Sequence, residues 1–166
     1  MTSLTFKGTK IKTKGSFPTV GESAPDFLLI TKELSEISLA NIKGKRVIFN
    51  IFPSIDTPVC ALQLKKFNNM VSDLENTVLL FSSLDLPFAF SRFCAAENIE
   101  NAITTSDYRY GSLAESYGVK MFGGPLDGLY ARAVIILDED HNVIYSELVS
   151  EVTDEPNYDA ALAALK

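Results

Sequence analysis

Two near-continuous apolar runs constrain this chain more than any other feature. RVIFNIF (Arg46–Phe52) and TVLLFSSL (Thr77–Leu84) flank a stretch with helical patterning from Pro58 to about Leu74. Unbroken apolar runs of this length fit strands covered on both faces, the condition of central strands in a parallel sheet. Strand, helix and strand in that order form a βαβ unit, which commits the chain to an α/β architecture.

The flanking patterns extend that unit. LTFKG and TKIKTKG alternate and break at Gly8 and Gly15, as a β-hairpin does, and VGESAPDFLLIT is a turn leading into a short apolar run. A second helix is predicted from Pro87 to about Asn98, a short strand near AITT, and a short helix in GSLAESYG closed by Gly118. ARAVIILD and NVIYSELV flank the DEDHN turn as an antiparallel hairpin, and NYDAALAALK forms a last helix with Asn157 as N-cap. The sheet is therefore expected to be mixed, parallel early and antiparallel late. At 166 residues without repeat, low-complexity segment or linker, one domain with a sizeable core is expected.

Charge and composition narrow the function classes. The formal net charge is −6, and the one basic cluster, Lys7, Lys10, Lys12 and Lys14, reads as the solvated face of the hairpin. Nucleic acid is not an expected partner. No apolar run approaches the roughly 18 residues that span a bilayer, and the N-terminus lacks a signal-peptide core. A soluble, cytoplasmic protein with no membrane partner is expected. The single histidine, His141, lies in the DEDHN turn and reads as solvent-exposed. With no Cys/His ligand spacing, a metal is not expected, and one histidine argues against a Ser-His-Asp mechanism.

The chemistry concentrates where the first apolar run ends, in NIFPSIDTPVC (Asn50–Cys60). Proline favours the first helical position, which makes Thr57 the N-cap and puts Cys60 third in the helix. There the unpaired N–H groups and the macrodipole favour an anion, hence a reactive thiolate. Yet Cys60, Leu64, Phe67, Val71 and Leu74 also form one apolar stripe, on which a cysteine is commonly an inert small hydrophobe. Both readings stand. Cys94, in FSRFCAAEN on the second helix, reads as a packed thiol; 34 positions from Cys60, it is the only other sulfur able to resolve an oxidised Cys60 within the chain. Arg132 interrupts an otherwise apolar strand. It is either an edge residue in a salt bridge or a charge aimed at a thiolate. Phe88, Phe90, Met121, Phe122 and Leu126 either line an apolar pocket or belong to the core.

PSIDTPVC resembles the PxxxTxxC signature of peroxiredoxins, carried here by Pro53, Thr57 and Cys60. SRFCAAENI is similar to the resolving-cysteine helix of the thiol peroxidase branch, the atypical two-cysteine peroxiredoxins. VGESAPDF, GGPLDGLYARAVIILD and EVTDEPNYDAALAALK resemble further segments of that branch in the right order. The resemblance implies a thioredoxin-like α/β fold over residues 1–166, with a mixed central sheet flanked by helices and an added N-terminal β-hairpin. It implies that Cys60 is the peroxidatic cysteine and Cys94 the resolving one, with Pro53, Thr57 and Arg132 completing the site. It further implies reduction of hydrogen peroxide and alkyl or lipid hydroperoxides in antioxidant defence. An intramolecular disulfide recycled by thioredoxin, no metal or prosthetic group, and a homodimer complete the implied picture.

Overall fold

The structure is a computed structural model that describes residues 1–166. The two apolar runs form adjacent parallel strands, β5 (Arg46–Ile51) and β6 (Thr77–Ser83). Five more strands complete a seven-stranded mixed sheet in the order β10-β9-β5-β6-β7-β3-β4. These are β3 (Leu29–Thr31), β4 (Glu36–Ile37), β7 (Ala102–Ser106), β9 (Ala133–Leu137) and β10 (Val143–Leu148). The N-terminal hairpin of β1 (Thr2–Phe6) and β2 (Thr9–Thr13) pairs with β8 (Met121–Phe122) as a separate small sheet. The α/β, thioredoxin-like arrangement with an added hairpin is thus the one expected.

The two-residue alternation of a strand sorts its side chains into two layers. Val47, Phe49, Ile51, Leu80, Ala133, Ile135 and Leu137 face one layer with Leu113 of α3 (Ser112–Ser116), Tyr117 at its C-cap, and Phe27 ahead of β3. Ile48, Leu79, Phe81, Val134 and Ile136 face the other. There they meet α1 (Pro58–Val71), α2 (Pro87–Glu97) and α4 (Tyr158–Ala163) through Leu64, Phe67, Phe90 and Ala161. The same parity sends Asn50 and Arg132 toward α1, because they lie two residues from Ile48 and Val134.

Four readings need adjustment. The first helix ends at Val71, not Leu74, where Ser72 and Asp73 turn the chain toward β6. His141 lies in its turn with φ 60°, but it is half-buried: its Nε2 is 3.0 Å from the Ile42 carbonyl oxygen. Of the five residues weighed for a pocket, Phe90 and Met121 are buried in the core, while Phe88 and Phe122 are exposed. The short β4 and β8 were not expected; two-residue strands carry too few residues to show alternation.

Candidate active site

The site forms where β5 ends and α1 begins. Pro58 opens the helix and Thr57 caps it, with extended backbone at φ −92°, ψ 145°. The Thr57 hydroxyl oxygen accepts a bond from the Cys60 N–H at 3.4 Å and donates to the Ser54 carbonyl at 3.1 Å. Cys60 is thus the third helical residue, fully buried and facing the sheet. Packing and placement at the helix mouth coincide in this one side chain.

Arg132 arrives from the other direction. The β5–β9 register pairs Ile51 with Ala133, so Arg132 lies one step further along, beside the loop that precedes α1. It is only 2 % exposed. Its Nη1 donates to Cys60 Sγ at 3.3 Å and to Gln63 Oε1 at 2.9 Å, and its Nε donates to the Val152 carbonyl at 3.0 Å. The four ion pairs of the chain, Lys65–Glu97, Lys66–Glu155, Arg92–Asp56 and Arg109–Glu36, leave Arg132 without a carboxylate. A buried guanidinium is costly without a negative partner, and the atom offered here is the Cys60 sulfur. The salt-bridge reading of Arg132 is not the one observed: its polar partners are Cys60 Sγ, Gln63 Oε1 and the Val152 carbonyl.

Two residues complete the site that sequence reasoning did not single out. Gln63, fully buried one turn after Cys60, accepts from Arg132 and passes a hydrogen bond on, from its Nε2 to Asn50 Oδ1 at 2.9 Å. A polar residue on an otherwise apolar helical stripe was the available signal. Asp85, just beyond β6, fastens the loop that carries Pro53 and Thr57. Its carboxylate accepts from Ser54 Oγ and the Ile55 N–H, each at 2.7 Å, and from Ser83 Oγ. No local pattern reveals that role, because Ser54 and Ile55 lie 31 and 30 positions away.

A cavity of about 250 Å³ opens against this constellation. Pro53, Thr57 and Arg132 line it on the helix side. Leu126, Leu129 and Phe6 give it an apolar wall, so Leu126 alone of the five residues considered reaches it. Pro53, which has no N–H, adds no backbone donor to the helix side.

Cys94 sits on α2 in the same core layer as Cys60, and both thiols are free. Burial pushes the Cys94 thiol above its ordinary range, an effect that outweighs the nearby Lys32 ammonium. Two exposed ion pairs join the α1 region to α2: Arg92 with Asp56 at 2.6 Å and Lys65 with Glu97 at 3.1 Å. The structure therefore brings Cys60, Thr57, Pro53 and Arg132 together and holds Cys94 on the adjacent helix, unbonded. No group of three or more His, Cys, Asp or Glu side chains is arranged to hold a metal ion.

Comparison with known proteins agrees with this geometry. The Redoxin family model matches residues 19–162. A thiol peroxidase of Corynebacterium glutamicum is 48 % identical over 160 residues, covering 96 % of each chain. The crystal structure of a peroxiredoxin-like protein from Aquifex aeolicus superposes with a TM-score of 0.92 at 38 % identity, over 98 % of this chain and 95 % of that one. A thiol peroxidase from Chromobacterium violaceum superposes with a TM-score of 0.91 over 98 % and 94 % of the two chains; at 22 % identity this likeness speaks for the fold.

Proposed function

The chain belongs to the Redoxin family and is a peroxiredoxin of the thiol peroxidase kind; on that premise we propose that Cys60 is its peroxidatic cysteine, Cys94 its resolving cysteine, and Pro53, Thr57 and Arg132 the rest of its catalytic site. One observation carries the assignment: a buried Arg132, with no carboxylate partner, donates to Cys60 Sγ at 3.3 Å.

The reaction is attack by the Cys60 thiolate on the distal peroxide oxygen. The O–O bond breaks, the sulfur becomes a sulfenic acid, and the leaving oxygen takes a proton to depart as water or alcohol. Ionisation alone cannot carry the catalysis. For thiols in general, lowering a pKa from about 8.5 to about 6 raises the thiolate fraction at pH 7 roughly thirtyfold. The accompanying loss of nucleophilicity, with a Brønsted slope of about 0.45, returns about tenfold of that. The larger contribution is electrostatic and falls on the oxygen that gains charge as the bond stretches. Arg132 supplies a fixed positive charge there. Thr57 supplies a hydroxyl, once its proton turns from the Ser54 carbonyl to the peroxide.

Cys94 then attacks the sulfenic acid and expels water, giving the Cys60–Cys94 disulfide. A disulfide requires Cα atoms within about 7 Å, and here both cysteines are locked in helical turns. The first turn of α1, the Cys94 turn of α2, or both unwind in this step. We take thioredoxin as the reductant and hydrogen peroxide with alkyl or lipid hydroperoxides as substrates; the apolar cavity wall supports the bulkier class. We also read residues 1–166 as one domain, the assembly as a homodimer, and the working compartment as the cytoplasm, where reduced thiols persist. No helix is long and apolar enough to cross a membrane.

The test is stoichiometric. One equivalent of peroxide added to reduced protein is consumed in a fast phase, and peptide mass mapping then finds a Cys60–Cys94 bridge. Cys60→Ser removes the fast phase. Slow loss in the wild type, or an unchanged fast phase in Cys60→Ser, rejects the assignment.

A further inference from the structure

Lys7 holds a backbone conformation that lysine rarely adopts. The hairpin turn between the paired Phe6 and Thr9 has two residues, Lys7 with φ 47° and Gly8 with φ 79°. Two-residue turns with positive φ throughout favour Asn, Asp or Gly, whose side chains tolerate the left-handed region. A strained residue persists where its surroundings over-determine it. Here the successive N–H groups of Lys7 and Gly8 both donate to the Glu151 carboxylate, at 2.9 and 3.4 Å, a backbone nest closed around an anion. The hydroxyls of Thr5 and Thr153 donate to the same carboxylate at 2.7 Å each.

Glu151 is thus satisfied without the Lys7 ammonium, and none of the four ion pairs includes Lys7. Lys7 Nζ lies 5.6 Å from the centre of the Phe6 ring, and both residues line the cavity in front of Thr57 and Arg132. Lys7 is exposed like Lys10, Lys12 and Lys14, but it alone of the four lines that cavity. Of the two cations at the cavity, Arg132 is committed to Cys60, Gln63 and Val152. Lys7 is the one left free, at an apolar cavity in a chain of net charge −6.

We propose that Lys7 is a specificity-determining residue that selects hydroperoxides bearing an apolar body and a carboxylate. The hydroperoxide end points to Thr57 and Arg132, the apolar body lies along Leu126, Leu129 and Phe6, and the carboxylate meets Lys7 Nζ. The proposal rests on the assignment of Cys60 as the peroxidatic cysteine. The strain at the turn is then the cost of placing an ammonium where Asn or Gly would fold more easily.

The experiment compares kcat/KM for a medium-chain hydroperoxy acid and for its methyl ester, both below their micellar concentrations. The wild type favours the acid by about three- to tenfold, as suits one partly exposed charge pair, and added salt narrows the preference. Lys7→Asn brings the ratio to about one while raising the thermal midpoint, because Asn suits the turn. Lys7→Glu takes the ratio below one. A loss of preference together with a gain of stability separates recognition from a structural role. An acid-to-ester ratio unchanged in Lys7→Asn overturns the proposal. Failure of wild-type Cys60 to be oxidised by either compound overturns instead the assignment beneath it.

Discussion

At the scale of single residues, the site depends on side chains that answer one another's electrostatic needs. Arg132 reaches the sulfur with a fixed direction because Val152 holds its Nε and Gln63 shares its Nη1. Gln63→Leu removes the acceptor and leaves Asn50 Oδ1 without its donor. We expect that variant to slow single-turnover oxidation of Cys60 by about tenfold, with Gln63→Glu recovering part of the rate by restoring an acceptor for Arg132. Glu151 illustrates a different use of charge. Hydrogen bonds from Thr5 and Thr153, together with the Lys7 N–H, hold its carboxyl at about 2, below the usual carboxylate range. A depressed value in the folded state stabilises the protein above the unfolded value of about 4.3 and ceases to do so as the pH falls through about 2. Acid unfolding followed by circular dichroism then loses part of its pH dependence between those limits in Glu151→Gln; an unchanged profile contradicts this account. Cys60 was legible in the sequence as a helix-mouth residue because Pro58 and Thr57 fix the register. Arg132 was legible as an anomaly with two possible partners, a carboxylate or the sulfur; a long-range sheet register decides which one it meets.

At the scale of elements, the two apolar runs announced β5 and β6, and proline marked the starts of α1 and α2. What remained hidden was the tie between them. Asp85 binds the α1 entrance to the loop ahead of α2 through Ser54 and Ile55, contacts that exist only once β5 and β6 are paired. Asp85→Ala frees the loop carrying Pro53 and Thr57, and should slow the peroxide step about tenfold while leaving disulfide formation as fast or faster. Equal slowing of both steps would make Asp85 a stabilising residue only. The ion pairs Arg92–Asp56 and Lys65–Glu97 hold α1 and α2 together more lightly, since exposed pairs are worth only about 0.2–1 kcal/mol each. On the proposed assignment of Cys94 as the resolving cysteine, these helices open locally for the disulfide to form. Burial keeps the Cys94 thiol protonated in the closed form, so exposure and ionisation proceed together as the helix unwinds. Conversion of sulfenic acid to disulfide should accelerate as the pH rises toward the ordinary thiol range, and Cys94→Ser should leave a sulfenic acid that a dimedone-type reagent traps. A pH-independent resolution step would make opening of the helix, not ionisation of the thiol, rate-limiting and would contradict this coupling.

At the scale of the whole molecule, the seven-stranded sheet serves as a jig. Antiparallel β9 delivers Arg132 to the end of β5, where parallel pairing with β6 has already required a crossover helix, and that helix carries Cys60 in its first turn. The hairpin sheet closes the far wall of the cavity with Phe6 and Lys7, a packing relation that alternating residues near the N-terminus could not disclose. The account as a whole depends on Arg132 acting on the leaving oxygen rather than only favouring ionisation of the sulfur. The direct measurement is the second-order rate of Cys60 oxidation by hydrogen peroxide in Arg132→Met and wild type, at pH about 9.5, where ordinary thiols are largely ionised. A deficit of about a hundredfold that persists at this pH is the expected result, the scale of one preorganised donor lost from a developing oxyanion. Convergence of the two rates at that pH would contradict it.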